Sequence, residues 1–362
     1  MKKLAANSSK RRATLVVAAL LAAATVTVGA VSAPRAAAPS TDTSGDAALV
    51  ERVRPLLEGA RGSVAVALID GGDVDYAFFG SDENTDFEIG SVTKTFTGSL
   101  LADAIERGEV RADERLGDVL PLDGAPAADV TLEELATHTS GLPRIATGGA
   151  DMIGSLWATF RHQDPYGADV DGLIEQARTA TLDGRGKHAY SNLGVALLGQ
   201  ALAEAAGLDY ADLVQERILD PLGMKDSYAP ITPAGLRPGF HTGMNAQGHP
   251  EAPWTMSASA PAGGIRSTIT DMTAYAQAQL DNTAPGASAL EPRLDAGDGL
   301  RIGFNWFTSE VDSKELQWHN GGTGGYSSIV VLDRSSDRAV VVLSNTAASV
   351  DAVGFDLLAG EK

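Results

Sequence analysis

The chain is expected to fold as an α/β protein of the α+β kind, an antiparallel sheet flanked by helices with an all-helical domain inserted into it. Three observations predict this. Strand-like runs cluster near the two ends, at Ser63 to Phe79 and again from Leu300 to Ser344. The stretch from about Arg111 to Trp254 is instead rich in helical and loop signals. Strands and helices do not alternate as they would in a doubly wound parallel sheet.

Taken in order, residues 1–38 read as an export signal. Lys2, Lys3, Lys10, Arg11 and Arg12 precede an apolar run from Ala13 to Val31, and Ala-rich sequence with a plausible cleavage point near Ala38 follows. A secreted protein is expected. The alternative is an uncleaved anchor, because the apolar run approaches the length that spans a bilayer. Residues 39–46 resemble a short linker. An α/β domain is assigned to 47–110 and 257–362, and a helical domain to 111–256.

Within the first α/β segment, Ala47 to Leu57 suggests a helix weakened by Pro55. Ser63 to Asp70 and Val74 to Phe79, separated by Gly71-Gly72-Asp73, predict a hairpin. Phe96, Leu100, Leu101, Ala104 and Ile105 then share one face of a helix ending at Gly108. In the middle of the chain, Thr131-Leu132-Glu133-Glu134 has the pattern of a capping box. Asn192 to Ala206 and Asp209 to Leu219 form two amphipathic helices divided by Gly207, and Pro230 to Pro253 reads as surface loop. Thr270 to Leu280 returns to helix. Leu300 to Phe307, Glu315 to His319, Ser327 to Asp333 and Arg338 to Ser344 are expected as strands.

Composition excludes several classes of function. The 362 residues include no cysteine and carry a formal charge of -19, so disulfides are impossible and a nucleic-acid or anionic-membrane partner is not expected from charge. Six scattered histidines give no helical metal-ligand spacing. No metal and no cofactor are therefore expected. Gly-rich phosphate loops and a G-x-S-x-G elbow are also missing.

Three short motifs carry chemistry. The chain has a single S-x-x-K, Ser91 to Lys94, at the start of the Phe96 helix. A serine hydroxyl needs a base, and a lysine can be one when burial lowers its pKa. The helix N-terminus would add N–H groups beside a developing oxyanion. The plain alternative is a capping serine and a solvated lysine. Tyr190-Ser191-Asn192 is the single Y-x-N, and its phenol and amide could face one pocket as proton relay and amide holder. They could equally be a core tyrosine and a helix cap. His319-Asn320-Gly321-Gly322 follows a short strand, where bare backbone would let a ligand lie alongside and His319 could supply a polar or partly cationic group. A glycine-rich turn is the alternative there. His241-Thr242-Gly243 is a weaker copy in a loop region, and His138 in Thr-His-Thr-Ser-Gly-Leu-Pro reads as a structural loop residue.

Ser91-x-x-Lys94, Tyr190-x-Asn192 and His319-x-Gly321, in that order, resemble the serine β-lactamase and D-Ala-D-Ala carboxypeptidase superfamily, in its class C-like branch that includes esterases and D-aminopeptidases. Ile89 to Lys94, Leu135 to Pro143, Pro221 to Met224 and Ala262 to Ile265 also look like phrases of that family, and the likeness covers about residues 45–350. It implies a β-lactamase/transpeptidase-like fold with the site at the junction of its two domains. It further implies Ser91 as nucleophile, Lys94 and Tyr190 as general acid and base, and Asn192, His319, Gly321 and Gly322 as substrate-binding residues. The N–H groups of Ser91 and Gly322 would form the oxyanion hole.

The sequence departs from the class C pattern where His319 replaces lysine and where Tyr190-Ser191-Asn192 stands for Y-A-N. The resemblance therefore implies a D-Ala-D-Ala carboxypeptidase-like, penicillin-sensitive peptidase, with carboxylesterase or β-lactamase as alternatives and a non-hydrolysing penicillin- or muropeptide-binding protein as a third. The expected partner is a small molecule or peptide, whether D-amino-acid peptide, β-lactam or ester, and a monomer is expected.

Overall fold

The computed structural model describes residues 38–57, 62–145, 154 and 157–359. The apolar run Ala13 to Val31 and its basic start lie outside the described residues. Among those described, no helix is long and apolar enough to cross a membrane.

The strands are β1 (Thr43–Gly45), β2 (Val64–Asp70), β3 (Asp73–Phe79), β4 (Phe87–Glu88), β5 (Arg266–Ser267), β6 (Leu294–Gly297), β7 (Leu300–Ile302), β8 (Phe307–Val311), β9 (Lys314–Gly322), β10 (Ser327–Asp333) and β11 (Arg338–Ser344). The principal helices are α1 (Ala47–Val53), α2 (Thr93–Glu106), α3 (Leu132–Ala136), α4 (Val170–Thr179), α5 (Asn192–Ala206), α6 (Tyr210–Val214), α7 (Ile269–Leu280) and α8 (Asp351–Ala359). The main sheet runs β1-β3-β2-β11-β10-β9-β8-β7-β6, and each pair in it is antiparallel. Strand β2, from the N-terminal half, lies directly against β11 from the C-terminal end, as the strand distribution predicted.

Alternation along the central strands places a core on each face of this sheet. Ala65, Ala67 and Ile69 of β2 join Ala339, Val341 and Leu343 of β11 in the cluster that holds α2, α5 and α7. Val64, Val66 and Leu68 join Val340 and Val342 on the other side, under Leu49, Val50 and Val53 of α1 and Leu357 and Leu358 of α8. Strands covered on both faces read as continuous apolar runs even when antiparallel, which is why β10 and β11 were legible with their observed limits.

Several elements differ from the sequence reading. Thr43–Gly45, expected as linker, pairs with β3, and Asp46 caps α1 by accepting from the Leu49 N–H. The run Leu300 to Phe307 is two strands, because Gly303 to Trp306 leave the ladder between β7 and β8. Pro55 ends α1 in a 3₁₀ turn. The helix after Asp209 changes to a π turn over Gln215–Leu219. β6 and α8 were not anticipated.

A short second ladder pairs β4 with β5, setting Glu88 opposite Arg266. Arg266 is fully buried and bonds Asp86 at 2.8 Å and Glu88 at 2.9 Å. Burial pushes the Glu88 carboxyl up to about 7 against the opposing pull of Arg266. Replacing one member of such a pair strands the other charge in the interior, at a cost of about 3–5 kcal/mol. Arg266→Met is accordingly expected to lower the free energy of unfolding by that amount in urea titration. An unchanged midpoint would show that the pair contributes nothing net.

Candidate active site

Strand β4 leads into the turn that carries Ser91. Gly90–Val92 form one 3₁₀ turn ahead of α2, so Ser91 lies just before the α-helix rather than in its first turn as expected. The turn is drawn against β9. The Ser328 hydroxyl donates to the Ile89 carbonyl at 2.7 Å, and the Ile89 N–H donates to the Ile265 carbonyl at 3.1 Å. Close approach dictates two glycines. A Cβ on Gly90, which has φ +49°, would stand 2.6 Å from the Gly322 nitrogen, and one on Gly321 would stand 2.1 Å from the Ile89 carbonyl oxygen. Gly322 is different, since a Cβ there would meet nothing nearer than 3.9 Å.

Lys94 projects from the first turn of α2 and is fully buried. Its Nζ lies 3.1 Å from Ser91 Oγ and also donates to the Ala262 carbonyl. Burial, reinforced by the Arg144 charge, holds its pKa well below the usual lysine value. A neutral amine in this position has a lone pair to offer the serine proton. The solvated-lysine alternative does not fit these surroundings.

Tyr190 lies on the approach to α5, with Lys94 Nζ 5.0 Å from the centre of its ring. Burial raises the phenol above its ordinary value, while a hydrogen bond with Ser91 and the Arg144 charge pull the other way. Burial thus favours the protonated phenol and the deprotonated amine, pushing the two groups toward opposite proton-transfer roles. Ser191 caps α5: its Oγ accepts from the Gly194 N–H at 2.9 Å and donates to the Pro143 carbonyl at 2.7 Å. Asn192 is thereby free of capping. Its Nδ2 donates to Tyr166 Oη at 2.9 Å, and its Oδ1 is buried without a partner, an acceptor awaiting a donor.

His319 is fully buried in β9, which continues through Gly322 where a turn had been the alternative. Nδ1 lies 2.6 Å from the Asn320 carbonyl, so it is the protonated nitrogen and Nε2 is bare and unpartnered. Burial, with the Lys94 charge, pushes its pKa down to about 3. Of the polar or partly cationic group expected there, the polar, neutral form is the one burial favours. β8 pairs with β9 only as far as Trp318, opposite Phe307, leaving the His319–Gly322 edge without a strand on that side. An extended ligand could add there, as the bare-backbone reading anticipated.

Ser91, Tyr190, Gly321 and Gly322 line one cleft of about 530 Å³ with Asn320 and Thr323 among others, whereas Lys94, Asn192 and His319 are not among its lining residues. His241 lies apart from them, lining a separate cavity of about 300 Å³ with Asp86, Tyr228 and Arg237. Among the described residues, no group of three or more His, Asp or Glu side chains is placed to hold a metal ion.

Two residues stand beside the site, His138, which the sequence offered as a structural loop residue, and Arg144, which went unread. His138 is buried at φ +57°, its ring centre 4.5 Å from that of Tyr190, and its Nδ1 accepts from the Ser191 N–H at 3.3 Å. Arg144 lines the cleft with its guanidinium 5.1 Å from the centre of the Tyr190 ring. Their signal was the phrase Thr137 to Arg144, distant from Tyr190 in the sequence, which on a linear chain looks like punctuation.

A family model described as beta-lactamase matches residues 48–359. The chain is 29% identical to the D-alanyl-D-alanine-carboxypeptidase/endopeptidase AmpH of Escherichia coli, over 89% of this chain and 90% of that one. It is 25% identical to a beta-lactamase of Pseudomonas fluorescens, over 81% of this chain and 91% of the relative. In fold it is similar to a class C beta lactamase from Rhodobacter sphaeroides, with a TM-score of 0.69 at 24% identity, covering 82% of this chain and 94% of that structure.

Proposed function

Because the chain belongs to the beta-lactamase family, we propose that it is a secreted serine hydrolase forming an acyl-enzyme on Ser91, most active on D-alanyl-D-alanine-type peptides and acylated by penicillins. The observation that carries this reading is the 3.1 Å approach of a fully buried Lys94 to the Ser91 hydroxyl. Ser91 Oγ attacks the scissile carbonyl while its proton passes to Lys94. The N–H groups of Ser91 and Gly322 receive the oxyanion. Tyr190, whose phenol interacts with Ser91, delivers a proton to the departing amine as the C–N bond breaks, and Lys94 replenishes it. Water then attacks the ester by the same route in reverse, releasing the acid and restoring the serine. Asn192 Oδ1 accepts the N–H of the acyl part's own amide.

The neutral His319 favours a second reading. A third motif without a cation offers little to the carboxylate that β-lactams carry, so rapid β-lactam hydrolysis is not expected, and esters that need no such contact are plausible substrates. The basic-then-apolar N-terminus supports export.

Intact mass during incubation with benzylpenicillin, followed by product analysis with a D-Ala-D-Ala peptide and a short acyl ester, separates the readings. A persistent adduct with peptide hydrolysis is expected. An adduct that disappears as penicilloate accumulates would mean a β-lactamase, and ester hydrolysis without any adduct would mean an esterase. Neither adduct nor turnover would remove the hydrolase reading and leave a binding protein.

A further inference from the structure

The cleft is bipolar. Among the described residues lining it, two are ionic, Arg144 and Asp351. The other two basic groups near Ser91, Lys94 and His319, are buried, and burial disfavours the charged form of each. Arg144 is exposed, lies over Tyr190, and forms no ion pair among the described residues. Its carbonyl accepts the N–H of Asn192 at 2.9 Å, which ties it to the wall built by the start of α5. Asp351 opens α8 on the other wall, where one carboxylate oxygen accepts from Asn320 Nδ2 of β9 at 2.8 Å. No basic side chain among the described residues pairs with it. Among the described residues, each wall thus presents a charge without an ionic counterpart, and a substrate is a group placed to supply it.

We infer that Arg144 binds an anionic group on the acyl part of the substrate, and that Asp351 selects leaving parts without a free carboxylate. This rests on the reading of Ser91 as nucleophile and of Asn192 as holder of the acyl part's amide. Arg144 adjoins Asn192 and so flanks the acyl side. Asp351 opens the helix on the opposite face of the sheet from α5 and is held by Asn320 within the His319–Gly322 edge, so it is assigned to the leaving side. A guanidinium suits a carboxylate through paired N–H donors. A carboxylate wall repels the terminal carboxylate of a released amino acid and accepts an amide N–H or an ammonium instead. Within the D-Ala-D-Ala-type peptides of that reading, those with an acidic acyl part and an internal or amidated D-Ala-D-Ala bond are cut faster than those ending in a free D-Ala carboxylate.

Four peptides test this, all of the form acyl-D-Ala-D-Ala. The acyl part ends in a carboxylate or its carboxamide, and the last residue is a free acid or an amide. The wild-type protein is expected to favour the acidic acyl part and the amidated end, each by about tenfold in kcat/KM. Higher ionic strength should shrink both ratios. Arg144→Gln should abolish the first preference, mainly through KM, and Arg144→Lys should keep part of it. Asp351→Asn should abolish the second.

Faster hydrolysis of the free acid than of the amide by the wild-type protein would overturn the inference. So would an equal loss on all four peptides in Arg144→Gln, which would mean that Arg144 acts only through Tyr190. Calorimetry with Ser91→Ala and the same four peptides distinguishes the failures. A charge-ordered affinity without turnover in the wild type would retain the inference and remove the hydrolase reading, whereas turnover without charge order would do the reverse.

Discussion

Ser91→Ala is expected to lower kcat/KM on a cleaved peptide or ester by on the order of 10⁴- to 10⁶-fold, with no adduct in the intact mass after benzylpenicillin. The size follows from covalent catalysis. Without Oγ there is no atom to carry the acyl group, and the buried amine of Lys94 and the phenol of Tyr190 are left to assist a water that nothing here positions. Ground-state binding should survive, since Asn192, the β9 edge and the oxyanion donors are backbone groups or side chains outside the substitution. The loss should therefore appear in kcat with little change in Kd. Retention of more than about a hundredth of wild-type activity would mean that another group is the nucleophile.

Lys94→Met should move activity and stability in opposite directions. General-base assistance is worth roughly 10²- to 10⁴-fold, and a methionine cannot accept the Ser91 proton. Stability responds to the same burial with the other sign. The native pKa lies well below the unfolded value of 10.5, so between the two the unfolded chain binds the additional proton. In that window the native state is penalised, and wild-type stability rises as pH rises toward 10.5. Methionine has no proton to lose. It leaves the Ala262 carbonyl short of one donor, a cost of about 1–3 kcal/mol, but removes a buried group whose ionisation the interior opposes.

At neutral pH the expected result is an inactive protein with a higher Tm and a flatter dependence of Tm on pH. In the wild type, kcat/KM should rise with pH through the depressed Lys94 value, because only the neutral amine accepts the proton. That limb should be missing from the residual activity of Lys94→Met. A variant with lower Tm and retained turnover would show that Lys94 is a structural cation instead.

The reach of the sequence is clearest where signals are local. The capping box at Thr131 formed as read, with the Thr131 and Glu134 side chains each bonding the other's backbone. Helix α5 begins at Asn192 and ends at Ala206, with Gly207 left-handed at φ +68° behind it. Strands β10 and β11 kept their expected limits because nearly every residue in them is buried. Short strands such as the edge strands β1 and β6 and the neighbouring β7 were missed or merged, since a three- or four-residue strand has too little period to stand out and is defined by its partner.

The three motifs, their order and the chemistry their residue types permit were determined by the sequence alone, because S-x-x-K and Y-x-N spacings are short enough to hold on any helix or loop. Charge was not. Whether Lys94 is a base, whether His319 is a cation and whether Arg144 matters all depend on groups brought near from distant parts of the chain. Ala262 and Arg144 surround the Lys94 amine, Phe307 lies 5.0 Å from the His319 ring, and Arg144 reaches Tyr190 from a loop 46 positions earlier. Ionisation follows the local dielectric and neighbouring charge, and those are properties of packing that a linear pattern does not contain.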